Sequence, residues 1–201
     1  MDRPSYRRLD VDERRRQLLE RGAELFTSHP YDELSMSRIA SEVGISKSLL
    51  YHYFPSKRAF FEETLSAWVE ELRSRTEPNP ELPPLEQLTE SLDAFLALVV
   101  ENAVAYRNLM DSATGVPEIR DLVDQVRRQT AERILTALYP DGPAPKARTA
   151  VNGWLWFMDG ACLNWIEHRD IEREALRDLL LGVLMGALIA ADAPPGLDQV
   201  R

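Results

Sequence analysis

Apolar residues recur along this chain at the three-and-four spacing of helices, and no stretch alternates as a strand would. The first run, about Asp12 to Ser28, carries Leu18, Leu19, Ala23, Leu25 and Phe26 on its inner side. Two short runs follow. Met36, Ile39, Ala40 and Val43 share a face behind Ser35, and Leu50 and Phe54 stand i, i+4 apart behind Ser46. Both serines suit N-caps, because a serine hydroxyl accepts from the free backbone N–H groups of a first turn. Gly44 supplies a turn with positive φ between the two helices, and Pro55 ends the second by biasing its neighbour away from helix. With Leu50 and Phe54 inward, Lys47, Ser48, Leu49, Tyr51, His52 and Tyr53 are left facing outward.

A longer helix is predicted from Ser56 to about Thr76, with Phe61, Leu65, Trp68 and Leu72 as its stripe. Glu77-Pro78-Asn79-Pro80 and Pro83-Pro84 then break the chain. Beyond them Leu85 to about Met110 reads as one helix and Pro117 to Tyr139 as another. A proline-rich loop over 140–145 precedes the last two helices, Lys146 to His168 and Ile171 to Ala191. The class is all-α, with a small head over 1–60, a linker helix over 56–76 and a helical body over 77–201. The last ten residues, rich in Pro, Gly and Asp, are expected to fray.

The net charge of −9 is unevenly spread. Residues 1–60 hold 11 Lys and Arg against 9 Asp and Glu, whereas residues 61–201 hold 13 against 24. An acidic body with a locally positive face discourages indiscriminate adhesion to nucleic acid while letting one face engage phosphates. Arg3, Arg7, Arg8 and Arg14 to Arg16 form either a basic arm beside a duplex or a solvated tail. The single cysteine, Cys162, excludes an internal disulfide framework or a cysteine zinc cluster and fits a reducing cytoplasm. Asp2, Arg3, Arg7, Arg8 and Asp10 precede any apolar stretch, so no leader is expected, and the apolar run Leu179 to Ala191 is too short for a bilayer.

Catalytic chemistry finds little footing. His29, His52 and His168 are scattered, and there is no paired-histidine zinc motif, glycine-rich phosphate loop or nucleophile elbow. No catalytic residue, metal or cofactor is therefore assigned. The best enzymatic case, Cys162 with Asp159 and His168, competes with a plainer reading of Cys162 as a small core residue among Trp154, Phe157, Met158 and Trp165.

Ile39-Ala40, Gly44, Ser46, Leu50-Tyr51, Phe54 and Lys57 together match the helix-turn-helix pattern of the TetR (tetracycline-repressor-like) family of bacterial regulators. The chain resembles that family closely from Arg14 to Phe60, and beyond it in helical plan and length. The resemblance implies a three-helix DNA-binding head in which Lys47, Ser48 and His52 fall near bases and Tyr53 and Lys57 near the backbone. Ser35, Ser46, Leu49 and Tyr51 complete the candidate DNA-binding set. Two residues depart from the pattern. His29-Pro30 stands where many members have glycine, and Leu49 fills a slot that is often a small hydroxyl residue, which favours an apolar contact such as a thymine methyl.

The resemblance further implies a cytoplasmic homodimer joined by its last two helices, released from a palindromic double-stranded operator by a small effector. Leu176, Leu180, Val183, Leu184 and Ala187 are the candidate dimer face, with Leu179, Gly182, Met185, Gly186 and Ile189 around from it. The surplus of apolar faces is explained if one meets the body and the other a second copy. Tyr106, Met110, Trp154, Trp156, Phe157, Met158, Asp159, Cys162 and Trp165 are the candidate ligand residues, read either as the lining of a site for an apolar or aromatic molecule or as plain core. An activator or ligand-independent regulator of the same fold, and a helical carrier or enzyme without DNA binding, are the alternatives.

Overall fold

The computed structural model describes residues 11–191; Arg3, Arg7 and Arg8 of the candidate basic arm and the last ten residues, expected to fray, lie outside them. Nine helices and one 3₁₀ turn, with no strand, make up the described residues. They are α1 (Val11–Ser28), the 3₁₀ turn (Tyr31–Glu33), α2 (Met36–Glu42), α3 (Lys47–Tyr53), α4 (Lys57–Arg75), α5 (Pro84–Glu101), α6 (Ala103–Gly115), α7 (Pro117–Leu138), α8 (Pro145–His168) and α9 (Arg173–Ala190). The chain divides into two compact units, up to Trp68 and from Val69 onward.

The first unit is a helix-turn-helix head. Ser35 and Ser46 cap α2 and α3 through the backbone N–H groups of Arg38 and Leu49, each 3.2 Å away. Gly44, at φ +75°, makes the turn between them in a region that L side chains enter only with strain. The core gathers Leu18, Leu25, Leu34, Met36, Ile39, Leu50, Phe54 and Phe60. The inner face of α1 runs Leu18, Gly22, Leu25, and Ala23, expected inside, is exposed. A side chain at 22 would collide with α4, since a Cβ there would lie 2.5 Å from the buried Phe60 ring. The helices therefore approach too closely for anything but glycine. His29-Pro30 leads into the 3₁₀ turn, which buries Tyr31 against Phe61 with ring centroids 4.9 Å apart.

In the second unit α5 to α9 enclose a core that includes Leu92, Leu96, Tyr106, Leu135, Val151, Trp154, Leu155, Leu180 and Leu184. The single helix expected from Leu85 to Met110 is two. Asn102, at φ −122° and ψ 34°, interrupts it, and its side-chain amide donates to the Leu98 carbonyl at 3.1 Å. Asparagine competes with the helix for backbone partners, which is why the break falls there. Arg177 on α9 reaches Asp93 on α5 at 3.0 Å.

The apolar faces of α9 divide differently from the expected dimer face. Leu176, Leu180 and Leu184 are 2%, 0% and 0% exposed and belong to the core of their own subunit, with Val183 packed at its edge. The outward stripe is instead Leu179, Gly182, Gly186 and Ile189, with Leu179 and Ile189 49% and 58% exposed. Helix α8, packed on α9, has a matching outward stripe of Gly153, Trp156, Phe157 and Gly160. Ala187 lies between the two faces, half-buried.

Candidate nucleic-acid interface and the polar core of the body

On α3 the inward anchor is Leu50, and Phe54 follows at the helix end; both are wholly buried. Lys47, Ser48, Leu49, Tyr51 and His52 are all exposed, as a reading helix requires. Tyr53 is half-buried against the head core and meets His52 edge-on at 5.4 Å. The Lys47 ammonium lies 6.0 Å from the centre of the Tyr51 ring one turn along. The Ser46 and Ser48 hydroxyls are 3.1 Å apart, so the start of α3 is a small cluster of hydroxyl groups beside a lysine.

Lys57 sits differently from its neighbours. Its ammonium donates to the Tyr31 carbonyl at 3.1 Å and lies 3.9 Å over the Tyr31 ring, so it fixes the corner after α1 as well as presenting charge. Arg15, one of the arginines read either as a basic arm beside a duplex or as a solvated tail, is committed to Glu63 on α4 through bonds of 3.0 and 2.6 Å. Arg16 pairs with Glu13.

The candidate ligand residues fall into three environments. Tyr106, Trp154, Cys162 and Trp165 are buried, Met110 and Met158 pack at the edge of the same core, and Trp156 and Phe157 face out, Trp156 being 59% exposed. Helical spacing causes this division, because residues 154, 158, 162 and 165 share one face and 156 and 157 point elsewhere. Trp165 also borders a depression of about 370 Å³ shared with Val100, Arg169, Ile171 and Arg173.

Asp159 stands at the centre of the buried set. It accepts from the Tyr106 hydroxyl at 2.8 Å and from Arg127 Nε at 2.8 Å, and Arg127 also reaches Asp124 at 2.7 Å. The same guanidinium lies 3.8 Å over the Trp156 ring. A network thus runs from the core through α7 to an exposed aromatic face. Burial pushes the Asp159 carboxyl above the usual carboxylate range, while the bonds from Tyr106 and Arg127 pull it back. Burial and then the Asp159 charge raise Tyr106 well above its ordinary value, so its hydroxyl remains a donor. Cys162 is pushed up to about 12, first by burial and then by Asp159, the reverse of what a nucleophilic thiol needs. Sequence reasoning missed Arg127. It lies 32 positions from its partner on another helix, and no local spacing could have marked it.

Residues 18–64 match the family model described as "Bacterial regulatory proteins, tetR family", and residues 84–187 match "Tetracyclin repressor-like, C-terminal domain". The chain is 31% identical over 107 residues to the HTH-type transcriptional activator FasR of Mycolicibacterium smegmatis, covering 52% of this chain and 49% of that protein. It is 37% identical over 62 residues to the nucleoid occlusion factor SlmA of Shewanella baltica, covering 31% of this chain and 32% of that one. These matches span half or less of each relative. A crystal structure of a TetR-family regulator from Streptomyces coelicolor aligns with a TM-score of 0.77 at 30% identity, over 91% of this chain and 83% of the other.

Proposed function

This chain belongs to the TetR family of bacterial transcription regulators, and from that membership we propose that it acts in the cytoplasm as a homodimeric repressor, released from a palindromic operator by a small apolar or aromatic effector. The observation that carries the reading is the exposed face of α3, where Lys47, Ser48 and His52 stand clear of a head packed behind Leu50 and Phe54. Lys47, Ser48 and His52 meet base edges, with Ser35, Ser46, Tyr51, Tyr53 and Lys57 about them towards the phosphates. No described helix is long and apolar enough to cross a membrane.

Pairing of two copies follows from the outward stripes of α8 and α9. Gly153, Gly160, Gly182 and Gly186 leave room for close helix approach, and Trp156, Phe157, Leu179 and Ile189 supply the apolar area. Two recognition helices related by a two-fold axis then meet half-sites about one helical turn apart or a multiple of it. Effector capture involves the body core near Tyr106, Met110, Trp154, Met158 and Trp165, where Asp159 and Arg127 offer polar anchors. Because those side chains are already packed, the effector must part helices to enter, and that parting is the differential affinity that shifts the population away from the DNA-bound state.

A second reading, activation, is favoured by the matched relative that is named a transcriptional activator. The test common to both is selection from a pool of random duplexes, followed by a gel shift. Lys47→Ala should weaken binding and relax base preference, and Lys57→Ala should weaken it on all sequences and flatten the salt dependence. Unchanged affinity in both variants would remove α3 as the reader.

A further inference from the structure

We infer that Leu49 makes this regulator a reader of a C5 methyl group, fixing a thymine at one defined position in each half-site; the inference rests on the DNA-binding reading above. The geometry of α3 carries it. Taking about 100° per residue, Leu50 marks the inward direction, Ser48 and His52 lie nearly opposite it, and Leu49 lies about 60° around from His52, which follows it by one turn. Leu49 is 37% exposed and holds no polar atom beyond its backbone. Its amide is bonded to the Ser46 hydroxyl, so the first turn of α3 holds it in place.

A leucine on such a face can contribute to base reading in one way. Every polar group on the major-groove edges of adenine, guanine and cytosine would lose water against it without gaining a bond, whereas the thymine methyl is apolar. Serine or threonine in the same place would tolerate several bases by donating or accepting. Leucine therefore narrows the choice, and the thymine it selects lies within a base pair or two of the base read by His52, because Leu49 and His52 stand i, i+3 on the helix.

The test uses the full-length protein and the tightest duplex it selects from a random pool. Each symmetry-related pair of thymines is replaced in turn by deoxyuridine, which removes the methyl and nothing else. At one position the wild type should lose about fourfold per half-site, or about fifteenfold for the pair, the effect of one buried methyl each. Leu49→Ala should bind the thymine and uracil duplexes at that position equally. Replacing the same thymine by 5-methylcytosine should retain more affinity than replacing it by cytosine. Circular dichroism melting of Leu49→Ala, expected at the wild-type temperature, separates lost reading from lost folding. If every uracil duplex binds as the parent does, or if Leu49→Ala keeps the full methyl preference, the inference is overturned while the DNA-binding reading stands. Failure to select any duplex overturns both.

Discussion

Replacing Arg127 with methionine removes the guanidinium and keeps much of the side-chain volume. The carboxylate left behind is the sensitive part. The side chains of Asp159 and Arg127 are only 11% and 15% exposed, so water cannot readily replace the lost bonds. Breaking a buried pair from one side costs about 3–5 kcal/mol, because a charge remains without its partner. The Tyr106 hydroxyl keeps one bond to Asp159 and places the expected loss near the low end, about 3 kcal/mol. In urea at fixed protein concentration this lowers the unfolding midpoint by about 1 M or more.

The pH dependence gives an independent check. Asp159 already has a raised pKa, and removing the arginine raises it further, so the folded variant binds a proton that the unfolded chain does not hold. The penalty is full above the folded pKa and fades as pH falls through it towards the ordinary carboxylate value. Arg127→Met should therefore recover part of its deficit as pH falls from neutrality towards the ordinary carboxylate range, measured against the wild type at each pH. Arg127→Met with Asp159→Leu, which removes both charges, should be more stable at pH 7 than Arg127→Met alone. A single variant within about 1 kcal/mol of wild type at pH 7, with no pH dependence of the difference, would refute the argument that this pair is buried and coupled.

Three further outcomes are expected. Gly22→Ala should destabilise the head by about 1–2 kcal/mol, the clash with Phe60 outweighing the better helix propensity, as measured by thermal melting. Leu184→Glu should unfold the body, since it places a charge in the core, whereas Leu179→Glu on the outer stripe should leave the subunit folded and shift sedimentation towards monomer; the reverse pattern would reassign the faces of α9. Cys162 should resist thiol reagents at pH 8 until urea is added. Stability should also fall as pH rises beyond the ordinary thiol value towards about 12, because the unfolded state ionises first.

The head was legible in the sequence because its determinants are local. Ser35, Gly44, Ser46 and Leu50 lie within sixteen residues, and each acts through its own or an adjacent turn. The close packing of Gly22 on Phe60 was invisible, since it joins α1 to α4 and a helical glycine gives no sign of what approaches it. In the body, the Asn102 break was hidden by the absence of glycine or proline and by an apolar pattern that continues in register across it. The two faces of α9 were both seen as apolar, yet periodicity cannot say which one faces the same subunit. Leu176, Leu180 and Leu184 resolve that only once α5 and α8 are in place. For Asp159 the sequence marked a polar residue among aromatics, but its partners Tyr106 and Arg127 come from two other helices.

The two buried tryptophans donate their indole N–H to backbone carbonyls, Trp154 to Leu180 and Trp165 to Ile171, both at 2.8 Å. Each bond ties α8 to the segment that follows it, one near its middle and one at the corner led by Arg169. The indole protons become clocks for this pair of helices. The Trp154 proton, buried between α8 and α9, exchanges with solvent deuterium only when the two helices separate, the Trp165 proton only when the corner at Ile171 opens, and the exposed Trp156 sits outside that protection. Two slow indole resonances in an NMR exchange series would then record how often the helix pair opens, and their joint decay would mark it as one cooperative unit.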